Sequence, residues 1–398
     1  MPEQAAGCPI ADVRATVLRS DADPEDLDSS AETLLFEVED LEGRVGIGEA
    51  DTASRAGAAL VDMEDVHRWN GALGGVLIGA DPFETAALWE RMSRRTSYVG
   101  PSGIAGHTLA GLDVALHDLA AKQLGRPAYQ LLGGACREFL SPYATVYAGA
   151  ARERPLSELM DRTCSLLERA QRAGYRAVKM ELIFEDAASD RQLVECIREG
   201  RRILGDEVEL LVDFGYRWSH WRDALAVLRR VEDCRLWLVE AAVAHDDLAG
   251  HARLARHVEP RVGGAELATT LRECLAFIEA GEVDVLQPDV ARAGGLTGMR
   301  RIAELAAVRG VEVVPHCWKT GINAAAARQL QAATPNVPWV ETLSPDLFDS
   351  PLRRELVRPE VELRDGRLPL PDAPGLGVVL VPEIVEAYRA PGGARTST

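Results

Sequence analysis

From about residue 140 onward, short apolar segments alternate with helical segments of similar length. The apolar segments are rich in Val, Leu and Ile, and each of the first six leads into a helical stretch such as DRQLVECIREGRRIL. They span residues 176–182, 208–214, 236–242, 260–267, 283–290, 311–317 and 337–343. Regular βα units of this length build a closed parallel barrel. The sequence therefore predicts an α/β fold with a TIM-type (β/α) barrel over residues 140–360.

Almost every predicted barrel strand ends in an ionisable side chain. Successive members of this series lie 23 to 27 residues apart, which is one βα unit. They are Asp213, Glu240, Glu266, Asp289, His316 and Glu341, preceded on an earlier strand by Lys179 and Glu181. The carboxyl ends of all barrel strands open onto one face, where active sites of this fold lie. These side chains are therefore expected to meet at the barrel mouth.

Three acids follow three successive strands in this series, namely Asp213, Glu240 and Glu266. A single carboxylate after a strand is equally well explained as a helix N-cap or a solvated loop residue. Three on neighbouring strands would repel one another unless a cation neutralised them. Oxygen ligands without Cys or His select a hard cation. The pattern predicts a Mg²⁺ site.

The next two strands end in Asp289 and His316. A carboxylate beside a histidine fixes its tautomer and supports its charged form, which prepares an acid or base. A purely structural hydrogen bond would explain an isolated pair. Beside a metal cluster in the same mouth, the catalytic interpretation is favoured.

The first third of the chain has a different pattern. Strand-like alternation occupies residues 11–20, 32–39 and 43–50, and helical periodicity follows around 56–70, 82–95 and 107–124. We predict an α+β domain over residues 1–139 and a C-terminal segment over 361–398 that joins it. The last residues, PGGARTST, are predicted to be disordered.

Bulk properties exclude several classes of function. The net charge of −18 disfavours nucleic acid and anionic membranes as partners, because both require a basic surface. Seven cysteines without a CxxC pair argue against a disulfide framework and for a reducing, cytoplasmic setting. The N-terminus lacks the basic and apolar regions of a secretory signal. The acidity does not argue against an anionic substrate, because a local cation can recruit it.

Several motifs together resemble the mandelate racemase branch of the enolase superfamily. They are GLDVALHDLAAKQLGRPAYQLLGG at 111–134, QPDVARAGGLTG at 287–298 and PHCWKTGI at 315–322, together with the three acids. The resemblance covers nearly the whole chain. It implies that residues 1–139 cap the barrel, that Mg²⁺ stabilises an enediolate formed by removing the proton α to a carboxylate, and that Asp289 and His316 move that proton. It also implies that Glu341 contacts the substrate carboxylate and that the protein is a homo-oligomer.

The sequence departs from this family on the second predicted strand. The family often has Lys-x-Lys there, with the second lysine facing the α-carbon opposite the histidine, whereas this chain reads Lys179-Met180-Glu181. Racemisation needs a base on each face, but a β-elimination can use His316 alone. We therefore expect dehydration of a sugar acid to a 2-keto-3-deoxy acid. Glu181 as second base, in a racemase, epimerase or cycloisomerase, is the alternative; a catalytically silent barrel with a binding role is a third.

Other polar and aromatic residues could line the site. Trp318 follows the histidine, and Arg292 follows Asp289. Each could instead be structural, Trp318 in the core and Arg292 on the surface. The resemblance implies that loops 21–30 and 97–106 fold over the barrel mouth and select the substrate.

Overall fold

The computed structural model describes residues 7–21, 29–149, 154–184, 187–348 and 350–398. Residues 22–28, the main part of the loop predicted to cover the mouth, lie outside the described residues. Within the described ranges, no helix combines the length and apolar character needed to cross a membrane.

The N-terminal part is an antiparallel sheet packed against helices. Its elements are β1 (Ile10–Arg19), β2 (Glu32–Asp40), β3 (Val45–Ala50), α1 (Ser54–Asp62), α2 (Gly74–Leu77), α3 (Thr85–Arg95) and α4 (Ile104–Gln123). Helix α4 lies directly on the backbone of β3. A Cβ atom at Gly46 or Gly48 would come within 2.2 or 2.1 Å of α4 carbonyl oxygens, so glycine is required at both positions.

Strand–helix alternation then builds a parallel barrel. A short strand outside the barrel sheet, β4 (Phe139–Leu140), comes first. The barrel elements are β5 (Pro142–Val146), α5 (Leu156–Ala173), β6 (Ala177–Glu181), α6 (Asp190–Leu204), β7 (Glu209–Asp213), α7 (Trp221–Leu228), β8 (Leu236–Glu240), α8 (Leu248–Ala255), β9 (Arg261–Gly264), α9 (Leu271–Glu279), β10 (Val285–Leu286), α10 (Gly295–Val308), β11 (Glu312–Val313), α11 (Gly321–Ala333) and β12 (Val340–Thr342). The sheet order is β11-β10-β9-β8-β7-β6-β5-β12. The Val313 amide donates to the Asn336 carbonyl just before β12. The fold is a TIM-type barrel with an N-terminal capping domain.

The barrel strands differ from the predicted ones in two respects. Strand β5 was absent from the seven predicted segments. Strands β9, β10 and β11 end earlier than predicted, so Glu266, Asp289 and His316 lie in the loops that follow them. All three still lie on the carboxyl side of the barrel.

Side chains that alternate along the strands fill the barrel interior. Six of them form one buried cluster: Tyr143, Ala177, Leu211, Leu238, Val285 and Val314. Because every second residue of a strand faces the same side, Lys179 and Glu181 follow Ala177 inward. Asp213 follows Leu211, and Glu240 follows Leu238 in the same way. The apolar cluster thus forms the floor beneath a polar layer.

The C-terminal segment returns to the cap. Its elements are α12 (Pro351–Glu355), β13 (Val357–Arg358), β14 (Leu368–Pro369), β15 (Val379–Leu380), α13 (Pro382–Ala387) and β16 (Ala394–Ser397). Strand β16 pairs antiparallel with β1, and the Arg395 guanidinium lies 2.9 Å from the Asp12 carboxylate. The prediction of a disordered tail was wrong for these residues, because the open edge of β1 supplies backbone hydrogen-bond partners that the sequence does not reveal.

Candidate active site

The three predicted metal ligands converge at the barrel mouth. Asp213 and Glu240 are the last residues of β7 and β8, and Glu266 lies two residues beyond β9. One carboxylate oxygen from each lies within 4.8 Å of the others. Asp213 and Glu240 are buried, and Oε1 of Glu240 has no hydrogen-bond partner among the described residues. A buried carboxylate oxygen without a partner is costly unless a cation binds it.

The electrostatics of the cluster also indicate a cation. Burial raises the pKa of Asp213 well above its ordinary value, and neighbouring carboxylates raise it further. Burial likewise raises the pKa of Glu240, although Lys179 opposes the shift. Burial acts to raise the pKa of Glu266 too, but the charge of His316 and the Tyr216 hydrogen bond outweigh it and lower that pKa. Asp213 and Glu240 therefore ionise beside Glu266 only when further positive charge joins them. The oxygen-only donor set therefore fits Mg²⁺.

Asp289 and His316 form a hydrogen-bonded dyad at the same mouth. Nδ1 of His316 lies 2.6 Å from Oδ2 of Asp289, and both residues are buried. Nε2 of His316 is left facing the metal ligands, 3.5 Å from Oε2 of Glu266. Burial acts to lower the pKa of His316, but the hydrogen bond and charge of Asp289 outweigh it and raise the pKa to about 9. The histidine is oriented to exchange a proton through Nε2.

Lys179 is enclosed by carboxylates below the cavity. Its ammonium lies 2.9 Å from Glu341, 3.0 Å from Glu240, 3.3 Å from Glu181 and 3.9 Å from Asp213. Burial acts to lower the pKa of Lys179, but the charges of Glu240 and Glu341 outweigh it and hold the pKa well above its usual value. A lysine held protonated in this way cannot serve as a base at neutral pH.

Both carboxylate oxygens of Glu341 are hydrogen-bonded to neighbouring residues of the barrel. Its Oε1 accepts hydrogen bonds from Lys179 and Thr145, and its Oε2 accepts from the Cys317 amide at 2.6 Å. The side chain is buried and is not among the residues that line the cavity. In this structure Glu341 is a counter-ion of Lys179, and its contact with a substrate carboxylate stays a prediction.

Glu181 faces the cavity that the metal ligands and the dyad surround. Burial raises the pKa of Glu181 to about 7, with Lys179 opposing and the neighbouring acids adding to the shift. The carboxyl is therefore near its midpoint of protonation at neutral pH, where a general acid or base is most effective. This residue occupies the strand position at which the second family lysine was expected.

The cavity at the barrel mouth has a volume of about 300 Å³. It is lined by Tyr147, Glu181, Ile183, Asp213, Gly215, Tyr216, Glu266, Leu267, Arg292, His316 and Trp318. Trp318 and Arg292 are thus at the site. A larger hollow of about 510 Å³ lies in the cap among Arg68, Trp69 and other arginines, but the described residues that line it include no acid–base pair or ligand set. The barrel cavity is the candidate active site.

Sequence reasoning missed Tyr216 and Asp51. The Tyr216 hydroxyl donates to Oε1 of Glu266 at 2.5 Å, and its backbone has a φ of 61°, a conformation that non-glycine residues rarely adopt. Asp51 follows β3 of the cap and pairs with Lys319 at 2.9 Å and with Arg292. Neither residue belongs to a recognisable motif, because both depend on contacts made only after folding. The cap therefore contributes directly to the order of the barrel mouth.

Comparisons with known proteins agree with this geometry. The sequence model for the mandelate racemase / muconate lactonizing enzyme N-terminal domain matches residues 28–133, and the model for the enolase C-terminal domain-like family matches residues 163–384. The chain is 30% identical over 363 residues to a D-galactarolactone cycloisomerase of Agrobacterium fabrum, covering 90% of this chain and 91% of that protein. It is 29% identical to an arabinonate dehydratase of Saccharolobus solfataricus, with 90% and 91% covered. A solved structure of a candidate racemase superposes with a TM-score of 0.90 and 38% identity, covering 97% of this chain and 100% of that one.

Proposed function

The chain belongs to the mandelate racemase / muconate lactonizing enzyme family of the enolase superfamily, and we propose that it is a Mg²⁺-dependent dehydratase that converts a sugar acid to a 2-keto-3-deoxy acid. The observation that carries this proposal is the arrangement of the two charged residues of β6. Lys179 is enclosed by four carboxylates, and Glu181 stands where a second lysine is usual. Among the described residues that line the cavity, His316 is the one histidine, and β6 offers no lysine base.

The metal site is proposed on Asp213, Glu240 and Glu266. These three carboxylates would hold the ion, which would supply Lewis-acid stabilisation of the charge that develops when the proton on the α-carbon is removed. The chain's own contribution is to hold the three ligands 4.8 Å or less apart and to fix Glu266 through the Tyr216 hydroxyl. A residue that hydrogen-bonds a metal ligand orients that ligand and so increases the affinity of the site for the metal.

The proton transfer is assigned to the dyad. Asp289 holds the proton on Nδ1 of His316. The charge of Glu266 helps to keep Nε2 protonated in the metal-free protein, and a cation bound to Glu266 would cancel that charge and free Nε2 to take the α-proton. The same Nε2 then returns the proton to the hydroxyl on the β-carbon as the β carbon–oxygen bond breaks. Water leaves, and the resulting enol rearranges to the 2-keto acid. One residue serves as base and then as acid, as in other eliminations that need only one group.

Glu181 supports an alternative reaction. A carboxyl whose pKa is about 7 can exchange protons with a substrate at neutral pH. With Glu181 as a second acid or base, the site would support racemisation, epimerisation or cycloisomerisation, and a cycloisomerase is among the relatives at 30% identity. A silent barrel is disfavoured, because so many buried carboxylates are costly to retain without a function.

A substrate screen tests the proposed function. The purified protein with Mg²⁺ is incubated with a library of aldonic, uronic and aldaric acids and lactones, and 2-keto products are detected as semicarbazones. We expect a 2-keto-3-deoxy product from at least one acid. Inversion or ring rearrangement without loss of water would favour the Glu181 alternative, and no turnover of any acid would contradict both.

A further inference from the structure

The carboxylate of Asp289 has three partners, and only one of them is the histidine. Besides His316, it accepts a hydrogen bond from the Ala291 amide at 2.6 Å. Nδ2 of Asn323 donates to both of its oxygens, at 3.0 Å and 3.3 Å. Asp289 has no measurable exposure and Asn323 is 2% exposed, so water does not replace these bonds. The side chain of Asn323 therefore closes the dyad from the side away from the cavity.

The amide of Asn323 can take only one orientation. Its Oδ1 is buried and has no hydrogen-bond partner among the described residues. Rotating the amide would place this oxygen against the Asp289 carboxylate, so the rotated state is excluded by repulsion. Leaving one polar atom unpaired is costly. The contact with Asp289 is the one hydrogen-bonded interaction that this side chain makes in the described residues.

The backbone of Asn323 is held by a residue of the cap. Glu49, on β3, is 1% exposed and accepts a hydrogen bond from the Asn323 amide nitrogen at 2.6 Å. It also accepts from the Thr320 hydroxyl at 2.9 Å, at the first turn of α11, and from the Thr33 hydroxyl at 2.8 Å. A carboxylate at a helix N-terminus is stabilised by the free amides and by the helix dipole. Glu49 thus fixes the turn from which Asn323 reaches Asp289.

From these contacts we infer that Asn323 is a positioning residue for the Asp289–His316 dyad, anchored to the cap by Glu49. Asn323 donates to the carboxylate and fixes its plane, and the carboxylate in turn fixes the ring of His316. The consequence for turnover rests on the proposed function, but the contact itself can be measured without a substrate. Loss of Asn323 is expected to leave the fold and Mg²⁺ binding intact and to disturb the hydrogen bond between Asp289 and His316.

Proton NMR of the full-length protein measures that bond directly. The proton between Nδ1 of His316 and Oδ2 of Asp289 should give a far-downfield signal, assigned by its absence from His316→Asn. In Asn323→Ala this signal should shift upfield or broaden. The control is Gln329→Leu, which removes a buried amide of the same helix that donates to the Leu376 carbonyl at 3.0 Å. In the control the signal should be unchanged, while thermal melting should show a comparable loss of stability.

Steady-state kinetics with an acid that the wild type turns over are the second measurement. Asn323→Ala should lower kcat about 10- to 100-fold with KM unchanged, as for other residues that orient a functional group. Asn323→Asp keeps the shape of the side chain, but the introduced carboxyl can donate a hydrogen bond to Asp289 only while it is protonated. That carboxyl would stand against Asp289, which bonds His316, and Glu49 lies at the Asn323 backbone. Lys319, which pairs with Asp51, acts electrostatically on Glu49. The activity of Asn323→Asp should therefore fall as pH rises, relative to the wild-type profile.

The positioning role of Asn323 and the proposed dehydratase function are contradicted by different results. A downfield signal that is the same in wild type and Asn323→Ala overturns the inference, whatever the protein turns over. So does the absence of this signal from the wild type, because the dyad would not be formed as described. A signal that responds to Asn323→Ala but not to Gln329→Leu, in a protein inactive on every acid, would contradict the proposed function and leave the positioning role supported.

Discussion

The ammonium nitrogen of Lys179 lies 2.9 Å from Oε1 of Glu341, below the cavity and out of reach of a ligand in it. Both side chains are buried, and the same ammonium contacts Glu240 at 3.0 Å. Lys179, which matches the first lysine of the family's Lys-x-Lys pattern, is thus a fixed cation under the metal ligands. This arrangement distinguishes the roles of the two polar residues of β6.

Lys179→Met should destabilise the protein strongly. The substitution leaves Glu240 and Glu341 buried without their cation, and breaking a buried pair in this way costs about 3–5 kcal/mol. Urea unfolding measures the free energy of unfolding of the variant and the wild type. Arg309→Met is the control, because its ion pair with Glu279 is half exposed and should contribute little. Equal stability of Lys179→Met and wild type would refute the structural role of the ammonium.

Removal of the metal should abolish turnover while the fold persists. The barrel floor is an apolar cluster that does not involve the three acids, so circular dichroism should change little in EDTA. Added Mg²⁺ should restore activity. Glu240→Gln should weaken Mg²⁺ binding by calorimetry, whereas Glu209→Gln, at the exposed start of β7, should not. Full activity after exhaustive chelation would exclude the metal site.

Glu181→Gln separates the two reactions considered for this site. If Glu181 only pairs with Lys179 or binds a substrate hydroxyl, the rate of dehydration should drop moderately and remain measurable. If it is a second acid or base, α-proton exchange should vanish for one epimer of the substrate and persist for the other. NMR in D₂O with each epimer distinguishes these outcomes. Loss of exchange on one face would replace the dehydratase proposal with an epimerase or cycloisomerase.

The stability of the metal-free protein should depend on the charge of His316. Its pKa is raised from 6.5 to about 9 in the folded state, so the folded protein binds this proton more tightly than the unfolded chain. The contribution is fully present below pH 6.5 and is lost as pH rises through about 9. Urea unfolding in EDTA should therefore show a difference between wild type and His316→Asn that shrinks across this window. A difference that grows with pH would contradict the assigned charge state.

The barrel and its mouth were predictable because strand alternation and strand-end position are local properties of the sequence. Asp213, Glu240 and Glu266 follow apolar strands at regular intervals, so parallel packing alone brings them together. The Mg²⁺ prediction then follows from the chemistry of clustered carboxylates. The same logic placed His316 beside Asp289.

Contacts made across the fold could not be predicted in the same way. Glu341 was assigned from the resemblance to a substrate contact, whereas its position under Lys179 depends on the packing of β5, β6 and β12. Strand β16 forms only because the edge of β1 is free to pair with it. Glu49 and Asn323 lie 274 residues apart and belong to no common motif. Such partners are specified by tertiary packing rather than by local pattern.

Exchange of the α-proton with solvent is the most direct test of the proposed chemistry. Wild type, His316→Asn and Gln329→Leu, each with Mg²⁺, are incubated in D₂O with an acid that the wild type turns over, and proton NMR follows the α-position. Proton removal by His316 predicts exchange or turnover in wild type and in Gln329→Leu, and neither in His316→Asn, which should still bind Mg²⁺. Exchange in His316→Asn at the wild-type rate would contradict the account and assign the base to another residue, with Glu181 as the first candidate.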